Sequence, residues 1–63
     1  MSRKIKVLLA DDHVVLREAT AELVDKQPDM EVVGQAGTGS ETLALVKRLY
    51  PDVVVMDLSL IHI

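Results

Sequence analysis

Two short runs decide most of what this chain can become. Residues 5–10 (IKVLLA) and 53–56 (VVVM) are apolar at nearly every position, and each runs into aspartate: Asp11-Asp12 after the first, Asp57 after the second. A run of strand length with no polar alternation suits a strand covered on both faces, as in a parallel sheet with helices above and below. Between these runs the pattern changes period. Over residues 13–26, Leu16, Ala19 and Leu23 recur at helical spacing, with Asp12 placed to cap the helix, and Pro28-Asp29 ends the pattern. Residues 31–36 (EVVGQA) read as a second strand, less uniformly apolar and so nearer an edge. After a Gly37-Thr38-Gly39 loop, residues 40–49 read as a second helix, with Leu43, Val46 and Tyr50 on one stripe and Thr42, Leu45 and Leu49 beside it, ended by Pro51.

The predicted order is strand, helix, strand, helix, strand. Such alternation implies an α/β fold, a parallel sheet joined by right-handed helical crossovers. In a doubly wound arrangement the first strand lies in the middle, giving the strand order 2-1-3. If the first and third strands are neighbours, Asp11, Asp12 and Asp57 converge at the carboxyl edge of the sheet. That edge, at the topological switch point, is where ligands bind in such sheets.

Composition narrows the function classes. A chain of 63 residues allows one small domain, and domains of about 60 residues are marginal alone. Cysteine is absent, which rules out disulfides and thiolate metal sites and fits a reducing compartment. A net charge of -3 and a single aromatic residue, Tyr50, speak against DNA binding and against base-stacking platforms. No stretch approaches the roughly 20 apolar residues of a membrane span. The start MSRKIKVLLADDH has too short an apolar run for a signal peptide. No membrane association is expected, and the expected location is cytoplasmic.

Carboxylates gathered this closely repel one another and favour a bound cation. Oxygen ligands without cysteine favour Mg²⁺ or Mn²⁺ over zinc. A site of this kind suits phosphoryl chemistry, with one carboxylate acting as nucleophile to give an aspartyl phosphate. His13 reads as a solvent-facing residue of the first helical turn rather than a ligand, and His62 as inert. Gly34, Gly37 and Gly39 follow the second strand in the order G-x-x-G-x-G. A dinucleotide fingerprint would be G-x-G-x-x-G after the first strand. These glycines therefore read as turn and packing positions.

The stretches KVLLADDHVVLREATAELV and EVVGQAGTGSETLALVKRLYPDVVVMDLSL together resemble the first half of a response-regulator receiver domain. The DDH-x-x-x-R start and the VVG-x-A-x-x-G stretch are similar to the NarL/FixJ subfamily. The resemblance runs without a gap from residue 4 to residue 60. It implies a half of the flavodoxin-like (CheY-like) fold, and a module of a two-component phosphorelay rather than an enzyme. It also implies a bacterial source and a sensor histidine kinase as the phosphoryl donor. Asp57 would be the phosphoacceptor. Mg²⁺ would be held by Asp11, Asp12 and Asp57, with the backbone carbonyl of Ser59 completing the protein's share.

The sequence also departs from the family pattern. Residues 1–60 read as a partial receiver domain and residues 61–63 as a tail, where the family continues with a proline and a glycine. The family's later Ser or Thr and its Lys, both of which contact the phosphoryl group, have no counterpart. The expectation is a truncated receiver with impaired or no phosphoryl acceptance and weakened Mg²⁺ binding. A third strand apolar on both faces further predicts a homodimer formed through that strand. The alternative function is a self-associating interaction module without phosphoryl chemistry.

Overall fold

The computed structural model describes residues 3–57. They form β1 (Ile5–Asp11), α1 (Val14–Asp25), β2 (Met30–Ala36), α2 (Gly39–Leu49) and β3 (Val53–Asp57). The sheet order is β2-β1-β3, and β1 pairs in parallel with both neighbours. The fold is thus α/β with the expected strand order, the β-α-β-α-β half of a CheY-like doubly wound sheet. Among the described residues no helix is long and apolar enough to cross a membrane.

Central placement explains the composition of β1. With a strand on each side and a helix over each face, Leu8 and Ala10 are 0% exposed, and Val7, Leu9 and Asp11 are also buried. On one face Val7 and Leu9 pack with Ala21 of α1, flanked by Ile5, Val24, Met30 and Val32. On the other face α2 lies close above Gly34. A Cβ there would sit 2.9 Å from Leu49 Cδ1 and 3.1 Å from Leu8 Cδ1, so the leucines occupy the space a side chain would need. The β1–β2 register also jumps here, from Val7↔Val32 to Leu8↔Gly34, a bulge that bends β2 locally. Close packing is therefore the role of Gly34. No described glycine has positive φ, so none is required by a left-handed turn.

The helix stripes differ from the sequence expectation. Leu16 and Leu23 of α1 are 48% and 62% exposed, and Ala19 is exposed, whereas Ala21 is buried and Arg17, Thr20 and Val24 are half-buried. Adjacent helical stripes share the same spacing, so periodicity alone does not choose between them. Here the stripe centred on the small Ala21 is turned towards the sheet. In α2 the stripe of Thr42, Leu45 and Leu49 faces inwards with Val46, while Leu43 and Tyr50 are exposed. Thr42 is tolerated inside because its hydroxyl donates to the Thr38 carbonyl at 2.7 Å.

The helix ends follow local chemistry. Thr38 caps α2: its hydroxyl accepts the Glu41 amide at 3.1 Å, while the Glu41 carboxylate accepts the Gly37 amide at 2.8 Å. This is a close variant of the capping box. Tyr50 closes α2 in the left-handed conformation, φ 49°, just before Pro51. The N-cap of α1 is His13 rather than Asp12, and no side chain caps it. The Asp11 carboxylate takes the His13 amide in a turn of the Asx kind, which moves the helix start one residue along.

The amino end of the sheet is tied by Asp52, just before β3. Its carboxylate accepts the Lys6 amide and the Arg3 guanidinium, each at 2.8 Å, and its own amide donates to the Lys6 carbonyl at 2.8 Å.

Candidate functional site

The carboxyl end of the sheet carries a different set of groups. β1 delivers Asp11 as its last residue, buried at 7% exposure, and β3 delivers Asp57 at the partner register position. Residues paired across parallel strands lie side by side, so the backbone brings these two aspartates together, as expected of neighbouring strands. Asp12 follows in the turn and is exposed, as is Asp57.

Asp11 has a structural role that sequence reasoning missed. Its Oδ1 accepts the His13 amide at 2.8 Å, which fixes the turn between β1 and α1. The His13 ring then reaches back over both acids, its Nδ1 lying 3.3 Å from Asp11 Oδ1 and 3.1 Å from Asp12 Oδ1. His13 is solvent-exposed, as expected, at 64% of its side chain. It is nonetheless engaged with the acid pair. The ligand atoms of Asp11, Asp12 and His13 all lie within 4.8 Å of one another, a grouping that does not include Asp57. Ser59, expected to offer its carbonyl, lies outside the described residues, as does the tail of residues 61–63.

Arg17 and Gln35 were missed as members of this site. Arg17 stands one helical turn beyond His13, and its amide donates to the His13 carbonyl at 2.8 Å. From there its guanidinium reaches down to the end of β1. Nη1 donates to the Asp11 carbonyl at 2.9 Å, and Nε donates to Gln35 Oε1 at 3.1 Å. The arginine in DDH-x-x-x-R was the available signal, since that spacing sets it above the acid turn. Gln35 offered none, because its part depends on the β1–β2 register. A cleft of about 200 Å³ opens beside these groups, lined by Asp11, Arg17, Thr20 and Asp57 together with Leu9, Leu16 and Val55.

The carboxylates of this set, apart from the His13 imidazole, fit a hard divalent cation. Two carboxylates are held within ligand distance of each other by their own turn, one of them buried, and a third stands on the neighbouring strand. Mg²⁺ typically takes one or two carboxylates and leaves its remaining positions for water and phosphate oxygens.

Residues 7–63 match the family of response regulator receiver domains. The chain is 50% identical over 54 residues to the transcriptional regulatory protein LiaR of Bacillus subtilis, covering 86% of this chain and 26% of that protein. It is 43% identical over 56 residues to the DNA-binding transcriptional activator DevR/DosR of Mycobacterium tuberculosis, covering 89% of this chain and 26% of that one. It is also 38% identical over 60 residues to a protein-glutamate methylesterase/protein-glutamine glutaminase of Pyrococcus horikoshii, covering 95% of this chain and 16% of that one. The chain therefore spans about a quarter or less of the length of these relatives.

Proposed function

The chain belongs to the response regulator receiver domains, the phosphoacceptor signalling modules of two-component systems, and we propose that in this member Asp57 is the residue that accepts the phosphoryl group. The observation that carries this reading is the register pair Asp11↔Asp57, which sets a strand-end carboxylate beside the acid turn at the carboxyl edge of the sheet.

A carboxylate oxygen of Asp57 attacks phosphorus as the bond from phosphorus to the donor's imidazole nitrogen breaks. The bonding pair leaves with the imidazole, which takes up a proton, and Asp57 becomes an acyl phosphate. Exposure of Asp57 leaves it open to a donor as large as a kinase domain. Asp11, Asp12 and Asp57, with the Ser59 carbonyl, would hold Mg²⁺. When bound, the ion supplies positive charge against the oxygens of the transferring group. The turn at Asp11–His13 keeps two of these carboxylates facing one way before any ion arrives, so little reorganisation is needed.

A sensor histidine kinase is the proposed donor, and a cytoplasmic location follows from that partner. The chain acts as an acceptor, not as an enzyme in its own right, and no DNA binding is assigned to it. A second reading has one observation in its favour. Val53, Val55 and Met56 of β3 are between 44% and 62% exposed, an apolar strand of the kind that pairs with another chain. On this reading the chain is a homodimer through β3 without phosphoryl chemistry.

The test is incubation with acetyl phosphate and Mg²⁺, followed by intact-protein mass spectrometry beside Asp57→Asn. A mass gain of one phosphoryl group in a fraction of the parent chain, as impaired acceptance implies, and none in the variant is expected. An unmodified parent that sediments as a discrete dimer, with or without Mg²⁺, would favour the second reading instead.

A further inference from the structure

Arg17 sets a cation beside a cluster of acids, yet its contacts are not to their carboxylates. Its Nη1 donates to the backbone carbonyl of Asp11 at 2.9 Å and its Nε to the Gln35 side chain at 3.1 Å. The surroundings are shaped to receive it. A Cβ on Gly37 would stand 3.0 Å from Arg17 Nη1, so a side chain there would press on the guanidinium. Arg17 is half-buried, and its fork joins α1 to the ends of both β1 and β2.

The carbonyl it grips belongs to the peptide between Asp11 and Asp12. A peptide is planar, so fixing that oxygen fixes the plane and hence the direction in which Asp12 leaves β1. On the far side of the same residue, the Asp11 carboxylate is held by the His13 amide at 2.8 Å. Asp11 is thus gripped at both its carbonyl and its carboxylate, and the Arg17 grip sets Asp12. We infer that Arg17 is a positioning residue that aims the Asp11–Asp12 pair at its cation. The inference deepens the proposed function and rests on Asp11 and Asp12 being Mg²⁺ ligands.

Charge and positioning predict opposite signs, which makes the role testable. As a mere positive charge near the site, Arg17 would oppose Mg²⁺, and its removal would tighten binding. As a strut, it favours Mg²⁺, and its loss weakens binding. Residues that orient metal ligands typically contribute about 10-fold or more in affinity.

The experiment is calorimetric Mg²⁺ titration of the parent chain, Arg17→Lys and Gln35→Ala, with amide hydrogen exchange at Asp12 and His13 measured without metal. Both variants leave the charge in place and are mild enough to fold. About 10-fold weaker Mg²⁺ binding is expected in Arg17→Lys, a smaller loss in Gln35→Ala, and faster exchange at both amides in each. Binding in Arg17→Lys that is unchanged or tighter would overturn the inference. A parent chain that binds no Mg²⁺ would instead remove the proposed metal site. The inference would fall with that site, and exchange at the two amides would separate the two failures: faster rates in Arg17→Lys would show that Arg17 still holds the acid turn, and unchanged rates that it does not.

Discussion

Aspartates stand at both ends of this sheet, and the two ends treat them differently. At the amino end, Asp52 is answered by donors: the Lys6 amide on one oxygen and the Arg3 guanidinium on the other. Its carboxyl is held below the usual carboxylate range, chiefly by the Lys6 amide. Loss of solvation opposes this, and the charge and hydrogen bond of Arg3 reinforce it. At the carboxyl end, Asp11 and Asp12 share one turn with Asp57 at the partner position on β3, and the Arg17 guanidinium takes a backbone carbonyl rather than a carboxylate. A carboxylate whose oxygens are both engaged by the protein's own donors serves the fold. Carboxylates collected together are suited to an incoming cation.

Substitutions can break or sharpen that contrast. The largest expected effect is at the carboxyl end. Asp57→Asn should abolish phosphoryl acceptance from acetyl phosphate while leaving stability within about 0.5 kcal/mol, since the side chain is exposed. Urea unfolding beside mass spectrometry checks both halves, and a large stability loss would mean that Asp57 serves the fold as Asp52 does. Next is the middle of the sheet, where the contrast should vanish. Gly34→Ala forces a Cβ to 2.9 Å from Leu49 and should cost about 1–3 kcal/mol by urea unfolding, with no preference for either end.

Asp12→Asn should weaken Mg²⁺ about 10-fold, or about 1.4 kcal/mol, again with little change in the urea midpoint. A calorimetric titration that shows no weakening would take Asp12 out of the metal site. The smallest effect belongs to Asp52→Asn, and its mark is pH dependence. A carboxyl with a lowered folded-state pKa lends stability above its ordinary value of about 3.9, which is lost as pH falls through the lowered value. The parent should therefore melt higher than Asp52→Asn at neutral pH, and the two should converge in acid below the ordinary carboxylate range. Parallel melting curves at all pH values would show that the Lys6 and Arg3 contacts do not hold in solution.

The framework was legible because it depends on features that survive without coordinates. The apolar runs at β1 and β3, their terminal aspartates and the helical spacing between them gave the element order, the parallel sheet and the central position of β1. The end at which Asp11 and Asp57 meet followed from that order. What was not legible turned on choices between equivalent local patterns. Leu16, Ala19 and Leu23 have as good a helical spacing as the stripe through Thr20, Ala21 and Val24, and only the approach of α1 to the sheet separates them. Asp12 and Asp11 are both plausible partners for the start of α1. The Asp11 carboxylate takes the His13 amide, and the helix begins one residue later than expected. Arg17 and Gln35 meet because β2 stands beside β1 at one register. No rule of local spacing encodes that meeting.

The tie at Asp52 also works as an alignment mark. Its amide and carboxylate bracket Lys6 from both backbone directions, so β3 enters the sheet at one fixed offset. From there the pairing runs without interruption from Val7↔Val53 to Asp11↔Asp57. Slippage by one residue would displace the strand by about 3.3 Å and turn every side chain to the opposite face. Asp57 would then point away from the acid turn, with its chemistry intact and its aim lost. The contact that looks most purely structural is thus a ruler, set at one end of a strand to decide where the other end delivers its carboxylate.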